Sequence, residues 1–191
     1  MGSCSAVSYD CLFDVNLFLV MLGGRSRGCH IEQHDVRWVV GDSIDETLPE
    51  LVRQWGGLRR GLHLDSYRMV KRVDGHQVVV HPGTAYGTGP SIQKLWFVNL
   101  GGYRADSMAE QHHFGLVVGR TSAAAKAAAR RRWLKGLEQI HKDDLHEMEQ
   151  DPALDDLLPI SGNGQWHLQL SPANDGEDPS DAPDWYGYRP I

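Results

Sequence analysis

Leu-Phe-Leu-Val-Met-Leu-Gly-Gly stands at residues 17–24 and is followed by Glu-Gln-His at residues 32–34. The same pattern returns as Leu-Trp-Phe-Val-Asn-Leu-Gly-Gly at residues 95–102 and Glu-Gln-His at residues 110–112. Residues 32 and 110 are separated by the same number of positions as residues 17 and 95, and we call this separation the repeat offset. Over residues 17–41 and 95–119, 11 of 25 aligned positions are identical, where ordinary residue usage gives about one or two. The sequence therefore indicates an internal duplication.

The first copy begins with segments that favour strands. Residues 17–22 are an uninterrupted apolar run, which is typical of a strand buried on both faces. Residues 36–40 are a second, β-branched run, and residues 62–73 and 76–81 are strand candidates. The last two are joined by Asp-Gly, a strong signal for a two-residue hairpin.

A helix is predicted between these pairs of strands. Ser43 and Glu46 have the spacing of a capping box, and apolar residues follow at helical spacing as far as Trp55. Two glycines at residues 56–57 then end the helix.

The second copy repeats this plan with different residues. Strands are predicted at residues 95–100, 114–118 and 165–170, and an alanine-rich helix starts near Thr121. Trp133 follows Trp55 by the repeat offset, so we expect the two tryptophans to anchor their helices alike. The acidic segment 142–158 replaces a hairpin, and part of it is expected to be helical. The predicted fold is α+β, with two tandem β-β-α-β-β repeats packed side by side with pseudo-two-fold symmetry.

The predicted organisation has five segments. They are a loose N-terminal extension at 1–15, repeat 1 at 16–81, a linker at 82–94, repeat 2 at 95–170 and an acidic flexible tail at 171–191. The tail also contains Trp185, Tyr186 and Tyr188, and exposed aromatic side chains usually find a surface. Docking of these residues on the body or on a partner therefore stays open.

Composition restricts the class of protein. The chain has 191 residues, 41% hydrophobic and 23% charged, with a net charge of −6, which indicates a soluble globular protein and argues against nucleic-acid binding through bulk charge. The three cysteines, Cys4, Cys11 and Cys29, give no disulfide framework, so we expect a cytoplasmic location. No apolar run reaches about 18 residues, so no membrane span is expected.

The candidate ligand-binding residues are the polar and glycine positions that occur in both copies. Glycines allow a close approach of the backbone, a histidine beside a carboxylate suits acid–base chemistry, and glutamine offers a donor and an acceptor. The alternative is that these residues serve only the fold. The candidates are Gly23, Gly24, Glu32, Gln33, His34, Gly101, Gly102, Glu110, Gln111 and His112.

A second set of shared residues could bind a divalent metal such as zinc. No compact ligand motif exists, so we expect no cofactor, and the metal is a secondary hypothesis. An ordinary turn or strand-edge pair would equally explain the His-x-Asp pattern. The set is His34, His63, Asp65, His112, His141 and Asp143.

One segment of the second predicted helix is strongly basic. It contains Lys126, Arg130, Arg131, Arg132 and Lys135. Such a patch could contact phosphate or nucleic acid, or it could be a solvated face paired with the acidic residues after it. We favour the second interpretation because repeat 1 has no basic counterpart.

The repeated motif resembles a known family. Met-Leu-Gly-Gly-Arg at residues 21–25, followed by His-Ile-Glu-Gln-His-Asp-Val at residues 30–36, is similar to a small bacterial family of domains of unknown function. Asn-Leu-Gly-Gly-Tyr at residues 99–103 resembles it too, and the likeness covers about residues 16–160. The resemblance implies a cytoplasmic bacterial protein with one or two copies of this unit, and it assigns no role to any residue.

Three classes of function remain. The favoured one is a duplicated binding module for a small polar ligand or a protein partner. The second is a hydrolase-type enzyme, with or without the help of a metal, that uses Glu32 with His34 and Glu110 with His112 as acid–base pairs. The third is nucleic-acid contact through the helix that contains Arg130.

Overall fold

The computed structural model describes residues 15–83, 92–133, 156–160, 162, 164–173 and 180–191, with the backbone alone at 156–159. These residues form two helices and ten strands, so the predicted α+β class is confirmed. In chain order the elements are β1 (Asn16–Arg25), β2 (Gln33–Gly41), α1 (Ile44–Gln54), β3 (Leu58–Met69), β4 (Arg72–Val73), β5 (His76–Pro82), β6 (Lys94–Gly102), β7 (Gln111–Gly119), α2 (Ser122–Trp133), β8 (Asp156–Pro159), β9 (Trp166–Pro172) and β10 (Trp185–Pro190).

The strands make three sheets in which every pairing is antiparallel. The first has the order β10-β3-β1-β2, the second β7-β6-β8 and the third β4-β5-β9. The third sheet joins the repeats, since β5 pairs with β9 from His76 opposite Pro172 to Pro82 opposite Trp166. The two repeats are therefore tied by a backbone ladder as well as by side chains.

The apolar run of β1 is buried on both faces, as predicted. Phe18, Val20 and Leu22 pack with α1, whereas Leu17 and Leu19 belong to a different cluster. Side chains alternate across a strand, so one strand supplies two cores.

The cluster on the second face of β1 contains residues of both repeats. Leu19 lies in it with Leu95 and Phe97 of β6 and Leu116 of β7. On the outer face of β6, Val98 packs in a third cluster with the alanines of α2. The two sheets therefore face each other, and each carries a helix on its outer side.

Helix α1 begins as the sequence predicts. The Ser43 hydroxyl accepts a hydrogen bond from the Glu46 backbone N–H at 3.4 Å. The Glu46 carboxylate reaches back to the backbone N–H of Asp42, at 3.1 Å, one residue before the cap. In α2 the hydroxyl of Thr121 accepts from the N–H of Ala124 at 3.2 Å.

The two tryptophans each pack against the core cluster of their own helix, as expected, but they lie over different strands. Trp55 lies over Gly24 of β1, where an added Cβ would stand 2.8 Å from the ring atom Cζ2. Trp133 lies over Gly115 of β7, where a Cβ would stand 2.6 Å from Cη2. The repeat offset would instead place Trp133 over Gly102. The two helices therefore end on different strands of their sheets.

The predicted Asp-Gly hairpin is confirmed and does more than reverse the chain. Asp74 has φ of 51° and Gly75 has φ of 70°, the positive values that a tight two-residue hairpin of this type requires. The Asp74 carboxylate also accepts a hydrogen bond from the backbone N–H of Val118 at 2.7 Å and pairs with the Arg132 guanidinium. The turn of repeat 1 thus contacts β7 and α2.

The C-terminal residues differ from the flexible tail expected for 171–191. Residues 185–190 form β10, which pairs with β3, and Trp185 stacks on Tyr67 with ring centroids 6.0 Å apart. The Asp184 carboxylate accepts from the backbone N–H of Met69 at 2.6 Å. The strand and Trp185 therefore dock on the body, which was one of the open alternatives, whereas the side chains of Tyr186 and Tyr188 are largely exposed.

Other predictions fall partly outside the described residues. Residues 1–14, 84–91 and 142–155 lie there, so the extension, most of the linker and most of the acidic segment stay predictions. The end of that acidic segment is a strand, because residues 156–159 form β8 beside β6. In the described part of the chain no helix has the length and apolarity needed to cross a membrane.

Candidate functional site

Gly23 lies at the centre of the repeated polar residues. It pairs with His34 of β2 on one side and with His63 of β3 on the other. A Cβ on Gly23 would stand 2.8 Å from the Asp65 Oδ2 atom. Because Gly23 has no side chain, residues of the two flanking strands, β2 and β3, can meet above β1.

Four side chains make contact above this glycine, and we call them the Gly23 cluster: Glu32, His34, His63 and Asp65. The Nε2 atom of His63 is 3.1 Å from Asp65 Oδ1 and 3.4 Å from Glu32 Oε1. The Nε2 atom of His34 is 3.3 Å from Asp65 Oδ2. Glu32 and His34, which the sequence pairs as acid and base, thus contact different partners.

His63 is the fixed member of the cluster. Its side chain is 2% exposed, and its Nδ1 atom is 2.8 Å from the carbonyl oxygen of Gly61. A carbonyl only accepts, so Nδ1 carries the hydrogen of this bond. The ring of Tyr188 lies 4.2 Å from the His63 ring, so β10 covers the histidine from outside.

Asp65 is held less completely. Its Oδ2 atom is shielded from solvent and receives no aligned hydrogen bond, although the Nε2 atom of His34 is close enough for an ion pair. His34 and Asp65 are therefore close enough for an ion pair, but their geometry is not that of a hydrogen bond. His34 itself is half-exposed, which leaves it accessible from outside the cluster.

The predicted metal ligands are brought together only as contacting pairs. Across residues 15–83 and the other described segments, no group of three or more His, Cys, Asp or Glu side chains is arranged to hold a metal ion. His141 and Asp143 lie outside the described residues. A zinc-like metal at His34, His63 and Asp65 therefore stays a prediction.

The second copy reproduces the glycine–histidine pairing. Gly101 of β6 is opposite His112 of β7, as Gly23 is opposite His34. The surroundings differ, because the Nε2 atom of His112 is 3.7 Å from Glu110 Oε2 and its Nδ1 atom is 3.5 Å from the Asn99 amide nitrogen. These two contacts differ from the contact of His34 with Asp65, whose counterpart Asp143 lies outside the described residues.

The two shared glutamines serve their own loops. Gln33 donates to the Cys29 sulfur at 3.2 Å, and Gln111 donates to the Ser107 hydroxyl at 3.1 Å. Cys29 and Ser107 are themselves related by the repeat offset. A role in the fold alone, the alternative given above, therefore explains these glutamines. Each one holds the loop between its two paired strands.

A cleft of about 700 Å³ opens where the facing sheets separate, and we call it the inter-repeat cleft. Three pairs of its lining residues are related by the repeat offset: Met21 with Asn99, His34 with His112, and Val36 with Phe114. The complete lining is Met21, His34, Asp35, Val36, Arg37, Trp38, Gln54, Phe97, Asn99, His112 and Phe114.

The sequence identified the two histidines of this cleft and missed its aromatic side chains. Trp38 and Phe97 meet across the repeats with ring centroids 5.5 Å apart, and Phe114 lies 6.1 Å from Phe97. In the sequence these aromatic residues lie among buried positions, so they indicated only a hydrophobic core. The one sign of a role in a site was their position at the end of that core, next to the repeated polar residues.

The basic segment contributes to contact between the repeats. Arg132 pairs with Asp74, and its Nη1 atom is 3.5 Å from the Leu116 carbonyl oxygen. Lys135 lies outside the described residues. Arg132 therefore has a structural role, and the nucleic-acid hypothesis stays untested.

Comparison with known proteins supports the duplication. The model of the family DUF1543, described as a Domain of Unknown Function, matches residues 29–80 and 107–158, two ranges that differ by the repeat offset. The solved structure of protein Il1583 from Idiomarina loihiensis has a TM-score of 0.68 and 33% sequence identity over 93% of this chain and 98% of that one. No protein of curated function matches the sequence.

Proposed function

The chain belongs to the DUF1543 family and carries the family domain twice, and from this premise we propose that it is a duplicated binding module with one shared site, the inter-repeat cleft. The ligand is a small molecule with a flat apolar part and a polar group. In this proposal the repeats are related by a pseudo-two-fold axis that passes through the cleft. The Leu-Gly-Gly and Glu-Gln-His motif marks each copy.

One observation carries the proposal. His34 and His112, equivalent residues of two copies, line the same cleft. If each copy bound a ligand alone, its histidine would need no access to a common space. A shared cleft also gives the duplication a use, because neither repeat encloses this space by itself.

The lining supports a small molecule rather than a protein partner. A concave space of about 700 Å³ is within the usual size of small-molecule sites, about 300–1,000 Å³. Trp38, Phe97 and Phe114 offer apolar surface, and the two histidines offer hydrogen bonds. Arg37 is paired with Asp35 at 2.5 Å, so the lining is polar without strong net charge.

A thermal-shift screen with a defined panel of small aromatic metabolites tests this function. A ligand that binds the folded protein raises the melting temperature according to its concentration and Kd. We expect a shift in the wild type and in a His30→Ala control, and none in the double variant His34→Ala with His112→Ala. An equal shift in the double variant, or no shift with any compound, would overturn the proposal.

The location belongs to the same proposal. We place the protein in the bacterial cytoplasm, because the exposed thiol of Cys29 suits a reducing compartment.

A further inference from the structure

We propose that the two histidines of the inter-repeat cleft have different roles: His34 acts as a general base on the bound molecule, and His112 only holds it. Asp65 is the positioning residue of His34. This inference rests on the proposed function, since it needs a ligand in the cleft.

The first step concerns the ring nitrogens of His34. Its Nε2 atom is 3.3 Å from Asp65 Oδ2, and an ionised carboxylate accepts without donating. This arrangement favours the tautomer with hydrogen on Nε2, which leaves the lone pair on Nδ1. The side chain is half-exposed and lines the cleft, so the proposal places this lone pair against the ligand.

The second step concerns the rigidity of Asp65. Its Oδ1 atom is 3.1 Å from His63 Nε2, and His63 is almost completely buried. Gly23 lies beneath both side chains. His63 and Gly23 therefore restrict the position of this carboxylate by packing, as a group that orients a base requires. Its poor alignment with His34 is typical of unliganded sites, where such bonds tighten when the ligand binds.

The third step concerns His112. Its Nδ1 atom faces the amide nitrogen of Asn99, which can only donate, and its Nε2 atom faces the Glu110 carboxylate. The lone pair of Nδ1 thus points to a donor of the protein. His112 suits hydrogen bonding to a ligand better than removal of a proton.

This arrangement fits hydrolysis of an ester with an aromatic part. His34 Nδ1 takes a proton from water, and the water oxygen bonds to the carbonyl carbon. The bond from that carbon to the alcohol oxygen then breaks, and the alcohol leaves with the proton returned by His34. Acid and alcohol are the products, so no other reactant is needed. The aromatic side chains of the cleft would hold the flat part of the ester.

Diethyl pyrocarbonate tests the reactivity of His34 without knowledge of the natural ligand. Unprotonated imidazole nitrogen attacks its carbonyl carbon, the bond to the bridging oxygen breaks, and ethyl carbonate leaves and decays to ethanol and carbon dioxide. We expect mass mapping to show His34 modified about tenfold faster than His112 and the exposed His30, because Asp65 fixes one tautomer of His34, whereas the Nδ1 atom of His112 faces the Asn99 amide nitrogen. Equal rates at His34 and His112 would overturn the proposal.

Variants of Asp65 separate positioning from folding. Asp65→Asn should remove the advantage of His34, Asp65→Glu should restore part of it, and Glu50→Gln is the surface control. Long-range ¹H–¹⁵N spectra should show hydrogen on Nε2 of His34 in the wild type and a mixture of tautomers in Asp65→Asn. An unchanged tautomer and rate in that variant would refute the role of Asp65.

Binding and chemistry can fail independently. Hydrolysis of p-nitrophenyl acetate should be lost in His34→Gln, whereas the thermal shift with a panel ligand should persist. Persistent hydrolysis in His34→Gln would refute the general base alone. Loss of the thermal shift in Trp38→Ala and in His112→Ala would support the cleft, and its retention in both would refute the cleft itself.

Discussion

The two copies of the glycine–histidine site share a backbone pairing, and the side-chain contacts that the described residues show around it are not the same. In repeat 1, β3 places Asp65 beside His34 and His63 beside Asp65. In repeat 2, His112 contacts Glu110, from the approach to its own strand, and Asn99 of β6, whereas His141 and Asp143, which correspond to His63 and Asp65, lie outside the described residues. Duplication kept the backbone pairing of glycine with histidine, and the proposed difference between the copies depends on the residues around that pair.

The strongest test of this comparison is removal of the buried histidine. His63→Ala should lower the free energy of unfolding by about 3 kcal/mol, because it opens a cavity and leaves two carboxylates without their partner. His112→Ala should cost under about 0.5 kcal/mol, since that side chain is half-exposed. Urea denaturation of both variants measures the difference, and equal losses would show that the two sites are supported alike.

A methyl group on the central glycine should have the next largest effect. Gly23→Ala is expected to cost about 2 kcal/mol, because its Cβ would meet His63 and Asp65 and neither can move freely. Gly56→Ala is the matched control, since nothing lies within 4 Å of a Cβ there. Thermal unfolding checks this prediction. If both alanines were tolerated equally, close approach would not explain the repeated glycine.

A smaller effect is expected at the contact between repeats. Asp74→Asn keeps a residue that tolerates positive φ and removes the charge facing Arg132, so it should cost about 1 kcal/mol. Asp106→Asn, in an exposed pair with Arg104, is the control and should change stability little. Urea denaturation compares them, and a larger loss at Asp106 would contradict the proposed importance of the hairpin contact.

The smallest effect should distinguish the two helices. In α1, the hydrogen bond from Arg53 lowers the pKa of Glu50 below 4.5, whereas α2 contains no acidic residue. A lowered pKa stabilises the fold above the unfolded value, and this contribution is lost as pH falls below 4.5 through the folded value. Glu50 is exposed, so Glu50→Gln should cost only a few tenths of a kcal/mol near neutral pH. This difference from wild type should shrink in acid melts, and a difference that grew in acid would contradict the assignment.

Local features of the fold could be predicted from the sequence because their causes are local. The apolar run of β1, the capping box at Ser43 and the Asp74 hairpin each follow from a few neighbouring residues. The family unit was likewise visible as a constant offset between two matching stretches. These features predict where the strands and helices lie, but they do not predict which elements pair or pack together.

The candidate site was predicted only in part because its contacts join distant residues. His34 meets Asp65 across a middle strand, and Trp38 meets Phe97 of the other repeat. Neither contact leaves a periodic signal in the sequence. The same reason explains why Glu32, expected to act with His34, contacts His63 instead.

The pairing of β5 with β9 has a consequence for the order in which the chain folds during its synthesis on the ribosome. Val79 of β5 pairs with Gln169 of β9, and β10 pairs with β3 over an even longer separation, as Tyr67 opposite Trp185 shows. Contacts of such high sequence separation slow folding. Repeat 1 is synthesised first, yet its third sheet and the cover over His63 must wait for residues 166–190. We therefore expect nascent chains released before β9 to expose the edges of β5 and β3 and to depend on chaperones.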